Sequence, residues 1–263
     1  MDRNPEQNAN DVASPSALSL IPLPAMKFSD KKLSQTLVSL CISKGIEHIV
    51  ISPGSRNAPL TIGFGENPNF KCFSIVDERA AAFFALGMAQ QLQKPVAVVC
   101  TSGSAVLNYY PAVAEAFYSH IPLLVFSADR PEEFIDIGDG QTIRQENIFE
   151  KHILYSANCK EGEEHQLQNE KEINIALNAA IELSGPVHIN LPFSEPLYRT
   201  VETASVSPQN VLPREPENSK EDLSDFVEIW NKSKRKMVLV GTLFPGSLEE
   251  KYINCLAKDE SVL

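Results

Sequence analysis

The run Pro95-Val96-Ala97-Val98-Val99-Cys100-Thr101-Ser102-Gly103-Ser104 decides the fold. Its apolar part is unbroken, without the alternation of a strand that faces water on one side. That is the pattern of an inner strand in a parallel sheet, covered on both faces. Thr-Ser-Gly-Ser then turns the strand into a helix that runs to about His120. The same grammar recurs outward on both sides. His48–Ser52 reads as a buried strand ended by Pro53-Gly54-Ser55-Arg56, with a short helix over Pro59–Gly65. Cys72–Val76 reads as a strand followed by Asp77-Glu78-Arg79 and a helix over Ala80–Leu92. Upstream, Ser29 is placed to cap a helix carrying Leu33, Leu37, Leu40 and Cys41 on one face, and Gly45 to end it. Downstream lie strands at Pro122–Ser127, Ile153–Ala157 and Pro186–Leu191, with a helix over Glu172–Leu183 before the last. Such alternation predicts an α/β fold: a doubly wound, mostly parallel sheet flanked by helices, with right-handed crossovers.

Length and composition bound what this fold can do. The 263 residues are 43% hydrophobic and carry a formal charge of −11, which argues against nucleic acid or an anionic membrane as partner. An anionic ligand must therefore be met by a few local arginines. Cys41, Cys72, Cys100, Cys159 and Cys255 are scattered without CxxC spacing and read as reduced thiols of a cytoplasmic protein, not as a disulfide framework or zinc site. No apolar stretch approaches the ~20 residues that span a bilayer. Residues 1–26, rich in Asn, Pro and Ser, read as a disordered leader, and 27–200 as the main domain. Residues 201–222, with Pro208, Pro213 and Pro216, read as an interdomain linker. Residues 223–263, with a helix over Leu223–Asn231 and a strand Met237–Gly241, read as the start of a second α/β domain. That start is too short to bury a core, so the chain is expected to be the N-terminal portion of something longer.

Open parallel sheets gather their chemistry in the crevice beyond the carboxyl ends of the strands. Three strand ends there carry candidate groups. Glu78 stands at a strand-to-helix junction in an apolar frame of Ala and Phe, where a shielded carboxylate can exchange a proton near neutral pH. The alternative is that Asp77 and Glu78 merely complement the positive end of a helix. Arg56 and Arg130 both follow strand ends and can bind carboxylates bidentately. Alternatively both make structural salt bridges, Asp129 being the obvious partner for Arg130. The Thr101–Ser104 turn offers free N–H groups and hydroxyls, or else serves only to pack strand on helix. The loop from Ala128 to Gln141 is long enough to be functional. His120, His152 and His188 have no ligand spacing, so no metal site is assigned.

Together the fragments Ile51–Leu60 (ISPGSRNAPL), Asp77–Gly87 (DERAAAFFALG), Val96–Val113 (VAVVCTSGSAVLNYYPAV), Ser127–Glu133 (SADRPEE) and Gly185–Leu197 (GPVHINLPFSEPL) carry a resemblance. Over roughly residues 27–200 the chain resembles the N-terminal pyrimidine-binding domain of thiamine-diphosphate enzymes. Within that superfamily it is most similar to the 2-succinyl-5-enolpyruvyl-6-hydroxy-3-cyclohexene-1-carboxylate synthases of menaquinone biosynthesis, the MenD family. SPGSR, SADRP and NLPFSEPL belong to that branch, and the strand–Thr-Ser-Gly turn to the whole superfamily.

The resemblance implies a thiamine-diphosphate-dependent transferase that decarboxylates 2-oxoglutarate and adds the resulting four-carbon unit to isochorismate. By motif, Glu78 matches the carboxylate that hydrogen-bonds the aminopyrimidine. Pro53, Thr101, Ser102 and Gly103 match the turns beside that ring, and Ser55, Arg56, Arg130 and Gln141 match the substrate pocket. Where the family has Asn before the pocket Gln, this chain has Gly140. Gly138-Asp139-Gly140 resembles the family's GDG metal motif, but no Asn-Asn pair follows about thirty residues on, and it is rejected as a metal site. Mg2+ or Mn2+ and the diphosphate are implied to be held by a C-terminal domain absent from this chain. A homodimer or homotetramer with its active site at a subunit interface is implied, together with inactivity of the 263 residues alone. Two other readings stay open: the pyrimidine subunit of a two-chain 2-oxoacid decarboxylase, and a truncated product that folds without catalysing.

Overall fold

The computed structural model describes residues 27–214, 222–241, 243 and 246–263. The expected leader and part of the expected linker lie outside them. The chain runs β1 (Phe28–Ser29), α1 (Lys32–Ser43), β2 (His48–Ile51), α2 (Ala58–Gly65), β3 (Lys71–Ser74), α3 (Glu78–Leu92), β4 (Val96–Cys100), α4 (Tyr110–Tyr118), β5 (Leu123–Asp129), β6 (Tyr155–Asn158), α5 (Gln166–Leu183), β7 (Val187–Pro192), β8 (Thr200–Val201), α6 (Ser224–Lys232) and α7 (Glu250–Ala257). Six strands form one parallel sheet in the order β3-β2-β4-β5-β7-β6, while β1 and β8 pair antiparallel beside it. The α/β architecture expected from the alternating pattern is the one observed.

The deciding run occupies the middle of this sheet, with Val98 paired to Val50 on β2 and to Val125 on β5. Its side chains divide by the two-residue period of a strand. Val96, Val98 and Cys100 pack with Ala81, Ala82 and Ala85 of α3 and with Val113 of α4. Ala97 and Val99 join Leu37 and Leu40 of α1, Phe64 of α2 and Ile189 of β7. All five residues of β4 are fully buried, which is why the run shows no alternation. Each buried valine contributes about 1.5–3 kcal/mol.

Several local expectations are corrected. The cap of α1 is Lys31, and Ser29 instead accepts the Lys31 N–H at 3.2 Å through its Oγ. Gly45 does end α1: it adopts φ +67°, a conformation cheap only for glycine, just past the last turn. The helix expected after Thr101 is split, with a 3-10 stretch over Gly103–Tyr109 before α4 begins. Pro111 explains the break, because proline cannot donate within a continuous helix but fits the first turn of a new one. Met237–Gly241 is not a strand. Only Lys236 makes a bridge, to Val262, and Met237 and Leu239 are 74% and 90% exposed. Neither α6 nor α7 buries a residue.

Residues 205–214, read as part of a linker, are strapped onto α1 and α5. The Lys44 ammonium donates to Asn178 Oδ1 (2.7 Å), Asn210 Oδ1 (2.9 Å) and the Val211 carbonyl (2.7 Å). Gln35 Oε1 accepts the Ser205 N–H (2.7 Å), and Asn174 bonds Gln209 O and Val211 N, each at 2.9 Å. No helix among the described residues is long and apolar enough to cross a membrane.

Candidate functional site

From β2 the chain passes to the outer strand β3 and returns across β2 to β4, so β2 and β4 flank a point where the winding reverses. The turns that follow them, 52–57 and 101–103, interlock there. A Cβ on Gly54 would lie 2.4 Å from Cβ of Thr101, so only glycine lets the first turn seat against the second. Thr101 Oγ1 in turn accepts the Arg56 N–H at 3.3 Å. Asn57 Nδ2 donates to the Ser52 carbonyl at 2.9 Å, closing the first turn on itself. Pro53 and Ser55 are exposed on its outer side, whereas Thr101, Ser102 and Gly103 are buried.

Arg56 is 5% exposed. Its Nη1 donates to the Phe193 carbonyl at 2.7 Å, and Nη2 lies 3.2 Å from Glu195, both in the loop after β7. Burial lowers its pKa, and the nearby positive charge of Arg130 adds to that. The two arginines thus share one corner of the crevice. Arg130 does not pair with Asp129, as expected from adjacency. Its guanidinium faces Asp139, Nε to Oδ2 at 3.4 Å, and Nη2 donates to the Gly140 carbonyl at 3.0 Å. Asp129, the last residue of β5, gives its carboxylate instead to the Arg130 N–H and to Asn190 Nδ2. Asp139 is therefore occupied by an arginine. Gln141 is exposed with φ +54°, and its backbone lies against Gly103, where an added Cβ would meet its carbonyl oxygen at 2.8 Å.

Glu78 opens α3, with Asp77 as the cap accepting the Ala80 N–H at 2.7 Å. Glu78 is half-buried, and no hydrogen bond or ion pair to its carboxylate occurs among the described residues. Its charge raises the pKa values of Cys100 and Tyr109, although burial is the larger cause for both. The Tyr109 hydroxyl donates to the Val99 carbonyl at 2.9 Å and accepts from the Ser52 hydroxyl at 3.1 Å, which ties this edge to the interlocked turns. The shielding expected from the Ala and Phe frame is not supplied by that frame. Ala81 and Ala82 turn into the core, while Phe83 and Phe84 are each 44% exposed.

Sequence reasoning missed a buried polar cluster behind the corner. Asp129 Oδ1 accepts the Arg130 N–H at 2.8 Å, and Oδ2 accepts Asn190 Nδ2 at 2.7 Å. Asn190 Oδ1 accepts both Ser127 Oγ and Gln145 Nε2 at 2.8 Å, and Gln145 Oε1 accepts the Gly103 N–H at 2.8 Å. Burial pushes the Asp129 carboxyl up to about 6 against these bonds, and burial pushes His188, whose Nε2 is 2.7 Å from Ser127 Oγ, down to about 3. A signal was present: a buried strand that carries Asn190 must satisfy its amide internally. Asp129, Arg130 and Asn190 also line a cavity of about 300 Å³ with Glu161, His165 and Ser194. Among the described residues, no group of three or more His, Cys, Asp or Glu side chains can hold a metal ion.

With this geometry in place, residues 31–153 match the model of the thiamine pyrophosphate enzyme, N-terminal TPP binding domain. That stretch is such a domain. The match spans both interlocked turns, Glu78, Arg130, Gln141 and Gln145, and it stops short of Asn190 and the loop that receives Arg56. The chain is 55% identical over 256 residues to the 2-succinyl-5-enolpyruvyl-6-hydroxy-3-cyclohexene-1-carboxylate synthase of Christiangramia forsetii, covering 90% of this chain and 44% of that protein. It is 58% identical over 234 residues to the synthase of the same name from Flavobacterium johnsoniae (88% and 42%). To that of Phocaeicola vulgatus it is 43% identical over 240 residues (88% and 42%). The chain thus spans less than half the length of these relatives. Its thiamine pyrophosphate enzyme domain corresponds to their N-terminal part.

Proposed function

We propose that this chain supplies the pyrimidine-facing half of a thiamine-diphosphate-dependent transferase of menaquinone biosynthesis, which decarboxylates 2-oxoglutarate and joins the remaining four carbons to isochorismate. The observation that carries the reading is the Glu78 carboxylate. It is half-buried and unpartnered within the described residues, and it stands close enough to Cys100 and Tyr109, which flank the Thr101–Gly103 turn in sequence, to raise the pKa of both, in a domain matched to thiamine pyrophosphate binding. A free carboxylate acceptor at that place fits an aminopyrimidine, whose N–H groups need one. When bound, the cofactor supplies the electron sink for decarboxylation.

The chain's own groups then have distinct tasks. Glu78 would hydrogen-bond a ring nitrogen and hold or release at its carboxyl oxygen the proton shared with it, which requires water to be excluded. The buried turn Thr101, Ser102 and Gly103, with Pro53 opposite, orients the ring. Arg56 and Arg130, backed by Ser55 and Gln141, meet the carboxylates of the substrates; two guanidinium groups at one corner offset a net-negative protein around them.

Exclusion of water at Glu78 calls for a second surface. Val76, two residues before Glu78, is 77% exposed, and Phe83 and Phe84 of α3 and Leu107 of the following 3-10 stretch are exposed apolar side chains as well. On this reading a second subunit covers it, in a homodimer or homotetramer. The diphosphate and its Mg2+ or Mn2+ belong to residues of a C-terminal domain outside this chain.

The test is turnover of 2-oxoglutarate and isochorismate by the longest natural form of the polypeptide, beside its Glu78→Gln variant. The expected result is product in the wild type and a loss of more than about a hundredfold in the variant, the scale of positioned acid–base catalysis. Undiminished turnover in the variant, or none in the wild type, overturns the reading.

A further inference from the structure

Gln145 touches both halves of the site. It is fully buried. On one side its Oε1 accepts the Gly103 N–H at 2.8 Å. On the other its Nε2 donates to the Ala128 carbonyl at 3.1 Å and to Asn190 Oδ1 at 2.8 Å. Asn190 in turn grips the Asp129 carboxylate at 2.7 Å, and that carboxylate holds the Arg130 N–H at 2.8 Å. The Asp129 carbonyl accepts the Phe193 N–H at 3.1 Å, and the Phe193 carbonyl accepts Arg56 Nη1 at 2.7 Å. One continuous chain of bonds therefore runs from the Thr101–Gly103 turn to both arginines.

We infer that Gln145 is a positioning residue that couples the two halves, registering the turn that faces the cofactor against the corner that faces the substrate carboxylates. The amide is suited to this because it accepts and donates at once, and every atom it uses is buried, where geometry is tightly held. Gly103 cannot drift to compensate. At φ +83° it abuts the Gln141 backbone, so a shift of the turn displaces the loop that also receives Arg130 through Gly140. Binding on one side then orders the other, and by linkage the effect is reciprocal.

The inference rests on the reading above, and its test separates the two. In the longest natural form of the polypeptide, the dissociation constant of thiamine diphosphate is measured with and without saturating isochorismate. 2-Oxoglutarate is omitted, so that nothing turns over. The wild type is expected to bind the cofactor about fivefold or more tightly when isochorismate is present, within the usual range of site coupling. In Gln145→Met, which keeps volume and removes the bonds, that ratio is expected to approach one.

Asn174→Ala is the control. It removes an equally buried amide on α5, whose partners Gln209 and Val211 lie in the strap, away from the site. It should lower stability and leave the ratio as in the wild type. A Gln145→Met ratio equal to that of the wild type, or a wild-type ratio of one with both ligands bound, overturns the coupling alone. If the wild type binds no thiamine diphosphate, the functional reading falls and this inference falls with it. Should Gln145→Met fail to fold, Asn190→Ser, which shortens the next link, is expected to cut the ratio at least by half. An unchanged ratio there overturns the inference equally.

Discussion

Arg56 and Glu78 each stand within a few residues of a strand end on the same side of one sheet, yet the chain treats them in opposite ways. Arg56 is 5% exposed and spends its guanidinium on a carbonyl and a carboxylate of its own chain. Glu78 is half-buried and has no partner among the described residues, and Phe83 and Phe84 of its own helix are exposed. The arginine corner is finished by intrachain contacts. The carboxylate edge is left open. A group whose geometry is over-determined within one domain can be placed accurately before any ligand arrives. A group that needs desolvation without a local wall has to borrow that wall from elsewhere. The contrast implies that variants at the corner change stability and binding together, whereas variants at the edge change chemistry alone.

The largest expected effect lies in the corner and is read by pH. The Asp129 carboxyl is raised from the ordinary aspartate value of 3.8 to about 6 by burial. A raised acid binds a proton more tightly in the folded state, so its contribution is greatest below about pH 4 and is lost as pH rises through about 6. The shift of about two units corresponds to about 3 kcal/mol. Wild-type stability relative to Asp129→Asn should therefore fall by up to about 3 kcal/mol between pH 4 and 7, in chemical denaturation at each pH. Buried His188, depressed to about 3, acts oppositely: its contribution is present above about 6.5 and lost on acidification. Taking the difference between variant and wild type at each pH removes the histidine. A flat difference would show that Asp129 does not titrate in the corner, and the contrast with the open edge would weaken.

Next in size is Arg56→Met. The methionine fills much of the aliphatic volume but leaves the Phe193 carbonyl without its donor. An unsatisfied buried acceptor costs about 1–3 kcal/mol, and Glu195, 68% exposed, loses little because water replaces its partner. The expected loss is about 2 kcal/mol by denaturation midpoint. Arg56→Lys should recover less than half of it, since a lysine cannot reproduce the two-ended fork. Full recovery by lysine would mean that charge alone, and not shape, holds the corner.

Much of this arrangement was legible beforehand, and the reasons are local. The unbroken run Val96–Cys100 could only be a strand covered on both faces, and the turns after β2 and β4 announced themselves by their glycines. What could not be read was who meets whom. Arg130 beside Asp129 looks like a pair, but the ion partner is Asp139, nine positions on in a loop. Gln145 sits in an otherwise unremarked polar stretch, and its role exists only because Asn190, on a strand 45 residues away, turns its amide to it. Met237–Gly241 has every local mark of a buried strand, yet it joins no sheet among the described residues.

The Ala–Phe frame around Glu78 misled in an instructive way. Read as composition, Ala80-Ala-Ala-Phe-Phe-Ala85 is an apolar shield; read at helical spacing, the alanines Ala81, Ala82 and Ala85 are the core and the phenylalanines the surface. The smallest predicted effect follows. Glu78→Gln should change the stability of residues 27–214 by no more than about 0.5 kcal/mol, as at a surface position, because no intrachain bond is lost and a glutamine suits the first turn of a helix nearly as well. The only stabilising term at stake is the favourable placement of a negative charge near the start of α3, a few tenths of a kcal/mol. Denaturation of the wild type and the variant, side by side at pH 7 and again in high salt, checks this. The small difference at low salt should shrink further as the helix-end interaction is screened. A loss above about 1.5 kcal/mol would mean that Glu78 is already bound into its own domain, and the division between a finished corner and an open edge would fail.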